Sequence, residues 1–235
     1  MMQLKEIAVM HTDFDTKFGL PRQSGIVPDL AGTIVFEKDY RNDDALRGLE
    51  GYSHLWVIWE FSEGFSSVGR MNGSWSPTVR PPRLGGNRRM GVFATRSPNR
   101  PNPLGLSCVK IEKVEHTDDY GTVIHVSGID MMNGTPIYDI KPYLPHVDSY
   151  PDALGGFAAD VDGEKLKVSA DDAILCMLPP EKRDPLLAIL REDPRPSYQD
   201  DPERIYGFPY AGFEVSFRVD KDTLILCDII PTDLL

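Results

Sequence analysis

Between Phe213 and Val219 apolar and polar side chains alternate without a break: Phe213, Val215, Phe217 and Val219 on one side, Glu214, Ser216 and Arg218 on the other. A period of two marks a strand with one buried face. A turn at Asp220 to Asp222 and the apolar run Leu224 to Ile230 complete a hairpin. Upstream, short runs of branched and aromatic residues predict strands at Ile7 to Met10, Gly32 to Phe36, His54 to Phe61 and Gly91 to Ala94. Three more follow at Leu106 to Glu115, Thr122 to Ile129 and Ile137 to Ile140, with turns at Asp118 to Gly121 and Asn133-Gly134. The run HLWVIWEF, from His54 to Phe61, is rich in branched and aromatic residues and reads as a central buried strand.

Helical spacing is scarce. Ala45, Leu46 and Leu49 predict a short helix over Arg41 to Leu49, capped by Asn42 or Asp43 and ended by Gly51. Asp184 to Glu192 predicts another, with Asp184 as cap, Pro185 at the first helical position, and Leu186, Leu187 and Leu190 on its buried face. Ala173 to Leu178 starts either a strand or a helix. This pattern predicts a mainly β chain: an antiparallel β-barrel with a small α+β C-terminal domain. The strand–helix alternation of a doubly wound, Rossmann-like fold is missing. Composition shifts across Ser149 to Asp162, which places the barrel at 1–150 and the α+β domain at 151–235.

The stretch GVFATRSPNRPNPLGLS, Gly91 to Ser107, sets Arg96, Asn99 and Arg100 among Pro98, Pro101 and Pro103. Each proline fixes its own φ and pushes the preceding residue out of the helical region. Such a loop has few backbone states and can hold guanidinium and amide groups still for a ligand. The alternative is a stiff connection whose arginines are only solvated. Charge bears on this choice. The formal net charge is −11, which argues against non-specific coating of nucleic acid. Yet no acid lies between Glu63 and Glu112, where Arg70, Arg80, Arg83, Arg88, Arg89, Arg96, Arg100 and Lys110 stand; the rest holds 17 bases against 36 acids. A basic island in an acidic chain suits a local polyanion contact, and suits equally a set of salt bridges to acids elsewhere.

Other classes are narrowed by what is missing. Glu63 to Met90, thick in Gly, Ser, Pro and Arg, reads as a structureless functional loop or flap. No run approaches the roughly 18 apolar residues of a membrane span, and the first residues lack a secretory core. Cys108, Cys176 and Cys227 are odd in number with no CxxC, which predicts buried free thiols in a reducing cytoplasm. No His, Cys and carboxylate set has zinc-site spacing, so no metal is expected. GxGxxG, P-loop, GxSxG and HExxH patterns are absent.

The proline loop resembles the signature of the TsaA-like barrel family, whose characterised members are S-adenosylmethionine-dependent tRNA methyltransferases of the TrmO type. Lys17-Phe18-Gly19-Leu20-Pro21-Arg22-Gln23 is similar to the family's N-terminal motif, and Gly51-Tyr52-Ser53-His54-Leu55-Trp56-Val57 to its second. Asn133-Gly134-Thr135-Pro136 through Asp139-Ile140-Lys141-Pro142-Tyr143 is similar to its third main block. Asp193-Pro194-Arg195-Pro196-Ser197-Tyr198 resembles a motif in the C-terminal part of the bacterial tRNA enzymes. Together these follow the family's order over most of the 235 residues.

The resemblance implies S-adenosyl-L-methionine held by a barrel in a pocket shared by two protomers, hence a homodimer. It carries Pro21, Arg22, Gln23, Arg96, Leu106, Asn133, Gly134, Thr135 and Pro136 onto the cofactor site, with Ser62 and Glu63 nearby. Ser62 stands where the family has a histidine, and Asn133 where it usually has an aspartate. Arginine suits the cofactor carboxylate, a Gly-Thr-Pro turn suits adenine or ribose, and Leu106 suits the ring face. The implied acceptor is N6 of N6-threonylcarbamoyladenosine at tRNA position 37. That nitrogen is conjugated and carries a proton, so a base is expected, with Asp139 and His54 as candidates. Contacts to the tRNA anticodon loop are expected from Arg88, Arg89, Asn99 and Arg100, from Lys141 and Tyr143, and from Arg195 and Tyr198 through a salt bridge and base stacking. Two rivals belong to other classes: a cofactor-binding sensor or accessory barrel without RNA methylation, and a non-enzymatic RNA-binding barrel.

Overall fold

The computed structural model describes residues 3–61, 75–81, 84, 88–161, 165–195 and 201–234. Its first eight strands are β1 (Ala8–Thr12), β2 (Ala31–Phe36), β3 (His54–Glu60), β4 (Thr78–Val79), β5 (Met90–Gly91), β6 (Leu104–Thr117), β7 (Gly121–Ser127) and β8 (Thr135–Pro142). Six of them close into a barrel in the order β1-β2-β7-β6-β3-β8, antiparallel at every joint. Closure leaves no exposed sheet edge and gives each strand one inward face. Met10, Ile34, Leu55, Val57, Val109, Ile124 and Ile137 fill the inside. Gly105 is required there: a Cβ on it would lie 2.1 Å from Cε2 of Trp59, so only glycine lets β6 pass the indole.

The tail carries a second sheet, β9 (Lys167–Ser169), β10 (Tyr206–Tyr210), β11 (Phe213–Asp220) and β12 (Thr223–Pro231), in the order β10-β11-β12-β9. The Pro180–Arg191 helix buries Leu186, Ile189 and Leu190. Barrel and tail share one continuous apolar cluster. Phe14 packs on Tyr210 with ring centroids 5.3 Å apart, and Phe18 meets Phe208 edge-on at 6.0 Å. Polar ties accompany them: Ala211 N donates to Asp13 O at 3.1 Å, and Lys182 pairs with Asp13. Full burial of such side chains contributes about 1.5–3 kcal/mol each, so the rings outweigh the ion pair at this junction.

Several local expectations are corrected. Arg41 to Leu49 forms no α-helix but two 3-10 turns, Asp43–Leu46 and Leu49–Gly51, parted by Gly48 at φ 90°. Asn42 does cap the first, accepting from Asp44 N at 3.0 Å. Gly91 to Ala94 is a strand only at Met90–Gly91 and then a 3-10 turn, because Thr95 Oγ1 and Thr95 N both close back on Val92 O. The tail helix starts at Pro180, where the missing N–H costs nothing, and so places Pro185 inside it; Ile189 rather than Leu187 completes the buried face. β10 was hidden by Gly207 and Pro209, which it tolerates as an edge strand. The parallel edge strand β9, three residues long, was equally hidden. β3 is buried on one face only, since its outer face lines the barrel exterior. Within the segment expected to be structureless, β4 pairs with β5, while residues 62–74, 82–83 and 85–87 lie outside the described residues. Nor are the thiols buried: Cys176 is exposed and Cys108 and Cys227 are half-buried. Among the described residues no helix is long and apolar enough to cross a membrane.

Candidate functional site

The proline loop is held by its own side chains as well as by its prolines. Ser97 N donates to Thr95 Oγ1 at 3.2 Å, Asn99 N to Ser97 Oγ at 3.2 Å, and Arg100 Nη1 to Thr95 O at 3.1 Å. From this frame the exposed Arg96 donates through Nη1 to Oε1 of Gln23. That hydrogen bond joins the loop to the motif ending at Gln23, 73 residues earlier. The acceptor is a neutral amide, so this hydrogen bond does not itself neutralise the exposed guanidinium, whose planar donors suit an anionic ligand group. The next residue anchors the same turn: Cys108 N donates to Ser24 Oγ at 3.1 Å, bonding it to β6.

Beneath this corner lies a buried polar chain. Trp59 Nε1 donates to Ser107 Oγ at 2.9 Å, and Ser107 Oγ donates to Asp130 Oδ1 at 2.6 Å. The backbone N–H of Ser24 and the charge of Arg96 both act on the Asp130 carboxylate. Desolvation pushes its carboxyl above the usual range, against the opposing pull of those donors and that charge. Sequence reasoning did not single out Trp59, Ser107, Ser24 or Asp130. The available signal was a lone carboxylate between apolar Ile129 and Met131.

On the barrel exterior, register brings other candidates together. Ile58 of β3 is flanked by Leu106 on β6 and Asp139 on β8, so these three share the outer face. Lys141 lies one step along β8 on the same face and pairs with Asp139 at 2.9 Å. Asp139 Oδ1 further accepts from Ile140 N. His54 begins β3, hydrogen-bonded to Ser53 Oγ at 2.9 Å through Nδ1, with the Tyr143 ring 6.1 Å away. Four residues of strand, about 13 Å, separate it from Ile58, so the two candidate bases do not share one position.

The Asn133–Pro136 turn leads into β8. Thr12 N donates to Asn133 Oδ1 at 3.4 Å, Asn133 Nδ2 donates to Asp15 Oδ1 at 3.3 Å, and Thr135 is buried. Gly134 sits at φ 77°, and a Cβ there would meet nothing within 4 Å, so the turn's backbone is open to a ligand. A separate cleft of about 150 Å³ forms where the N-terminal motif meets the tail, with Lys17, Pro21 and Arg22 on one wall and Glu192, Asp193 and Pro194 on the other. Arg195, just beyond, is gripped by both carboxylate oxygens of Asp193 at 2.9 Å.

The basic residues expected to face RNA are spread along the surface. Arg88 and Asn99 are exposed, Arg89 Nη1 donates to Thr78 Oγ1 at 3.2 Å, and Arg100 lies 5.9 Å from the Phe93 ring centroid. Phe93 itself is 70% exposed and 5.6 Å from the Trp75 ring. Ser62, Glu63 and Tyr198, and Arg70 and Arg83 of the basic island, lie outside the described residues. Among the described residues no group of three His, Cys, Asp or Glu side chains is placed to hold a metal ion.

Comparison with known proteins is consistent along the chain. A family model described as the tRNA-methyltransferase O N-terminal domain matches residues 9–149, and one described as the TrmO C-terminal domain matches residues 178–232. The chain is 41% identical over 226 residues to the tRNA (adenine(37)-N6)-methyltransferase of Escherichia coli (strain K12), spanning 92% of this chain and 93% of that protein. It is 48% identical over 176 residues to a protein of the same name from Eikenella corrodens, spanning 74% of this chain and 95% of that one. A crystal structure of TrmO from Pseudomonas aeruginosa superposes with a TM-score of 0.75 at 28% identity, over 97% of this chain and 98% of that one.

Proposed function

This chain belongs to the tRNA-methyltransferase O family, and on that premise we propose that it transfers the methyl group of S-adenosylmethionine to N6 of threonylcarbamoyladenosine at position 37 of tRNA. The observation that carries the reading is the hydrogen bond between Arg96 and Gln23, which draws two distant motifs into one cationic corner. The residues there fit the cofactor. Arg96 offers planar donors to a carboxylate, the open turn at Gly134 offers backbone groups to adenine or ribose, and the exposed Leu106 offers an apolar face. When bound, S-adenosylmethionine would supply a methyl group activated by a sulfonium.

The protein's own contribution is alignment and exclusion of water, which can supply most of the acceleration in an in-line displacement. Of the two candidate bases, Asp139 has the better placement, beside Ile58 and across it from Leu106. Its pairing with Lys141 holds the carboxylate in place as an acceptor for the N6 proton. We assign cofactor binding to the 1–150 barrel and tRNA contact to the basic island together with the 151–235 tail. The shared cleft supports this, because it sets Asp193-Pro194 against Pro21-Arg22 and gives the tail a place that a bare cofactor sensor would not need. Exposed Phe93, Leu104 and Leu106 support a homodimer in which a second copy covers them, and tRNA as substrate supports a cytoplasmic site of action.

Purified protein is incubated with S-adenosylmethionine and tRNA carrying threonylcarbamoyladenosine, and the digested nucleosides are weighed by mass spectrometry. A gain of one methyl on that nucleoside is expected. Cofactor binding without any such gain would overturn the enzymatic reading in favour of a sensor. Sedimentation at micromolar concentration tests the dimer; a strict monomer would remove it.

A further inference from the structure

We propose that Asp130 is the positioning residue of this corner, its buried carboxylate holding the Arg22–Ser24 turn and the Arg96 guanidinium in the arrangement that receives the cofactor. The proposal rests on the cofactor reading above. Asp130 is 9% exposed and sits in the apolar run Ile129-Asp130-Met131, a setting that charged side chains rarely occupy without partners. Its hydrogen-bond partner is Ser107 on β6, next to Cys108, whose N–H donates to Ser24 just past the N-terminal motif, and the charge of Arg96 in the proline loop acts on the same carboxylate.

The direction of the hydrogen bonds is fixed. An indole nitrogen can only donate, so Trp59 occupies the Ser107 oxygen as an acceptor and turns the hydroxyl proton toward Asp130. From the residue beside Ser107, the Cys108 N–H donates to Ser24 Oγ at 3.1 Å, which ties the turn to the stretch of β6 that Asp130 holds. An acceptor is what the Ser107 hydroxyl demands of Asp130. Burial opposes ionisation and so makes the charge costly for the fold. A side chain that costs stability yet bonds the strand on which the Ser24 turn is anchored is placed for a site rather than for packing.

The test compares Asp130→Asn and Ser107→Ala with the wild type by thermal unfolding, calorimetric titration with S-adenosylmethionine, steady-state kinetics and amide hydrogen exchange. Asparagine keeps the shape and removes the charge. For D130N we expect an unfolding midpoint equal to or above wild type, and cofactor affinity at least ten-fold weaker. The cofactor KM should rise in step while kcat at saturation stays within two-fold. Exchange should quicken over residues 20–26 and at the Cys108 amide, whose acceptor is Ser24. S107A removes one donor and keeps the carboxylate, so its loss of affinity should be smaller. Unchanged affinity and exchange in folded D130N would overturn the proposal. A parallel loss of midpoint, affinity and kcat would also overturn it, by showing a structural role only. If the wild type itself fails to bind the cofactor, the cofactor reading falls. Hydrogen exchange then decides alone: quickened exchange in D130N keeps Asp130 as the organiser of the corner, and unchanged exchange removes it.

Discussion

Gly19→Ala probes the joint between the N-terminal motif and the tail. Gly19 has φ 86°, a left-handed conformation that costs an L-residue roughly 1–2 kcal/mol. A Cβ there would also stand 2.3 Å from Cδ2 of Phe208, far inside ordinary contact. Phe208 has little room to yield, because Phe18 and Phe217 meet it edge-on at 6.0 and 6.1 Å. Forcing a methyl into such packing costs about 1–3 kcal/mol, so the total loss is about 2–5 kcal/mol. In a chain of this size that lowers the unfolding midpoint by about 4–20 °C. Denaturant unfolding followed by tryptophan fluorescence measures it. Phe208→Ala alone should cost about 3–5 kcal/mol through its cavity. In the double variant the new methyl enters space the ring has left, so the combined loss should fall short of the sum by about 1 kcal/mol or more. A Gly19→Ala protein within about 0.5 kcal/mol of wild type, or strict additivity in the cycle, would refute the contact and its consequence.

Other expectations follow from the same geometry. Arg96→Ala should weaken S-adenosylmethionine binding about ten- to a hundred-fold, the worth of a hydrogen bond to a charged group, with the fold intact; calorimetry showing unaltered affinity would take Arg96 out of the site. Arg195→Ala should slow methyl transfer by a similar factor, about ten-fold or more, while cofactor affinity is retained; equal loss of both would mean misfolding instead. Burial, helped by the charge of Asp13, holds the Tyr210 phenol above its usual range. The unfolded chain therefore releases that proton first as pH rises past about 10, and stability falls by up to about 1.4 kcal/mol per pH unit until the folded phenol also titrates. Tyr210→Phe should remove this increment of alkaline sensitivity, and equal pH slopes between 9 and 12 for variant and wild type would disprove it.

Features set by a few adjacent residues could be read before any fold was known. The proline spacing around Arg96 restricts that loop through local sterics alone, and side-chain hydrogen bonds within it add to the restraint. The two-residue period of Phe213 to Val219 needs only the strand's own geometry, and the burial follows it. Edges and starts were harder, because they depend on neighbours. Pro209 is acceptable in β10 only because nothing pairs on its outer side among the described residues, and Pro180 opens the tail helix where Asp184 had seemed the better cap.

The site divides along the same line. Residue types and order in the four motifs sufficed to mark Arg96, Gln23, Leu106 and Asp139 as candidates. Only the closed barrel decided that Arg96 reaches Gln23, that Asp139 and Leu106 flank one isoleucine, and that Asp130 accepts from Ser107 while Cys108 bonds Ser24. Periodicity and proline sterics act over a few bonds and are written in the chain. Hydrogen bonds between residues tens of positions apart exist only after strand register has been chosen, and register is a property of the packed core.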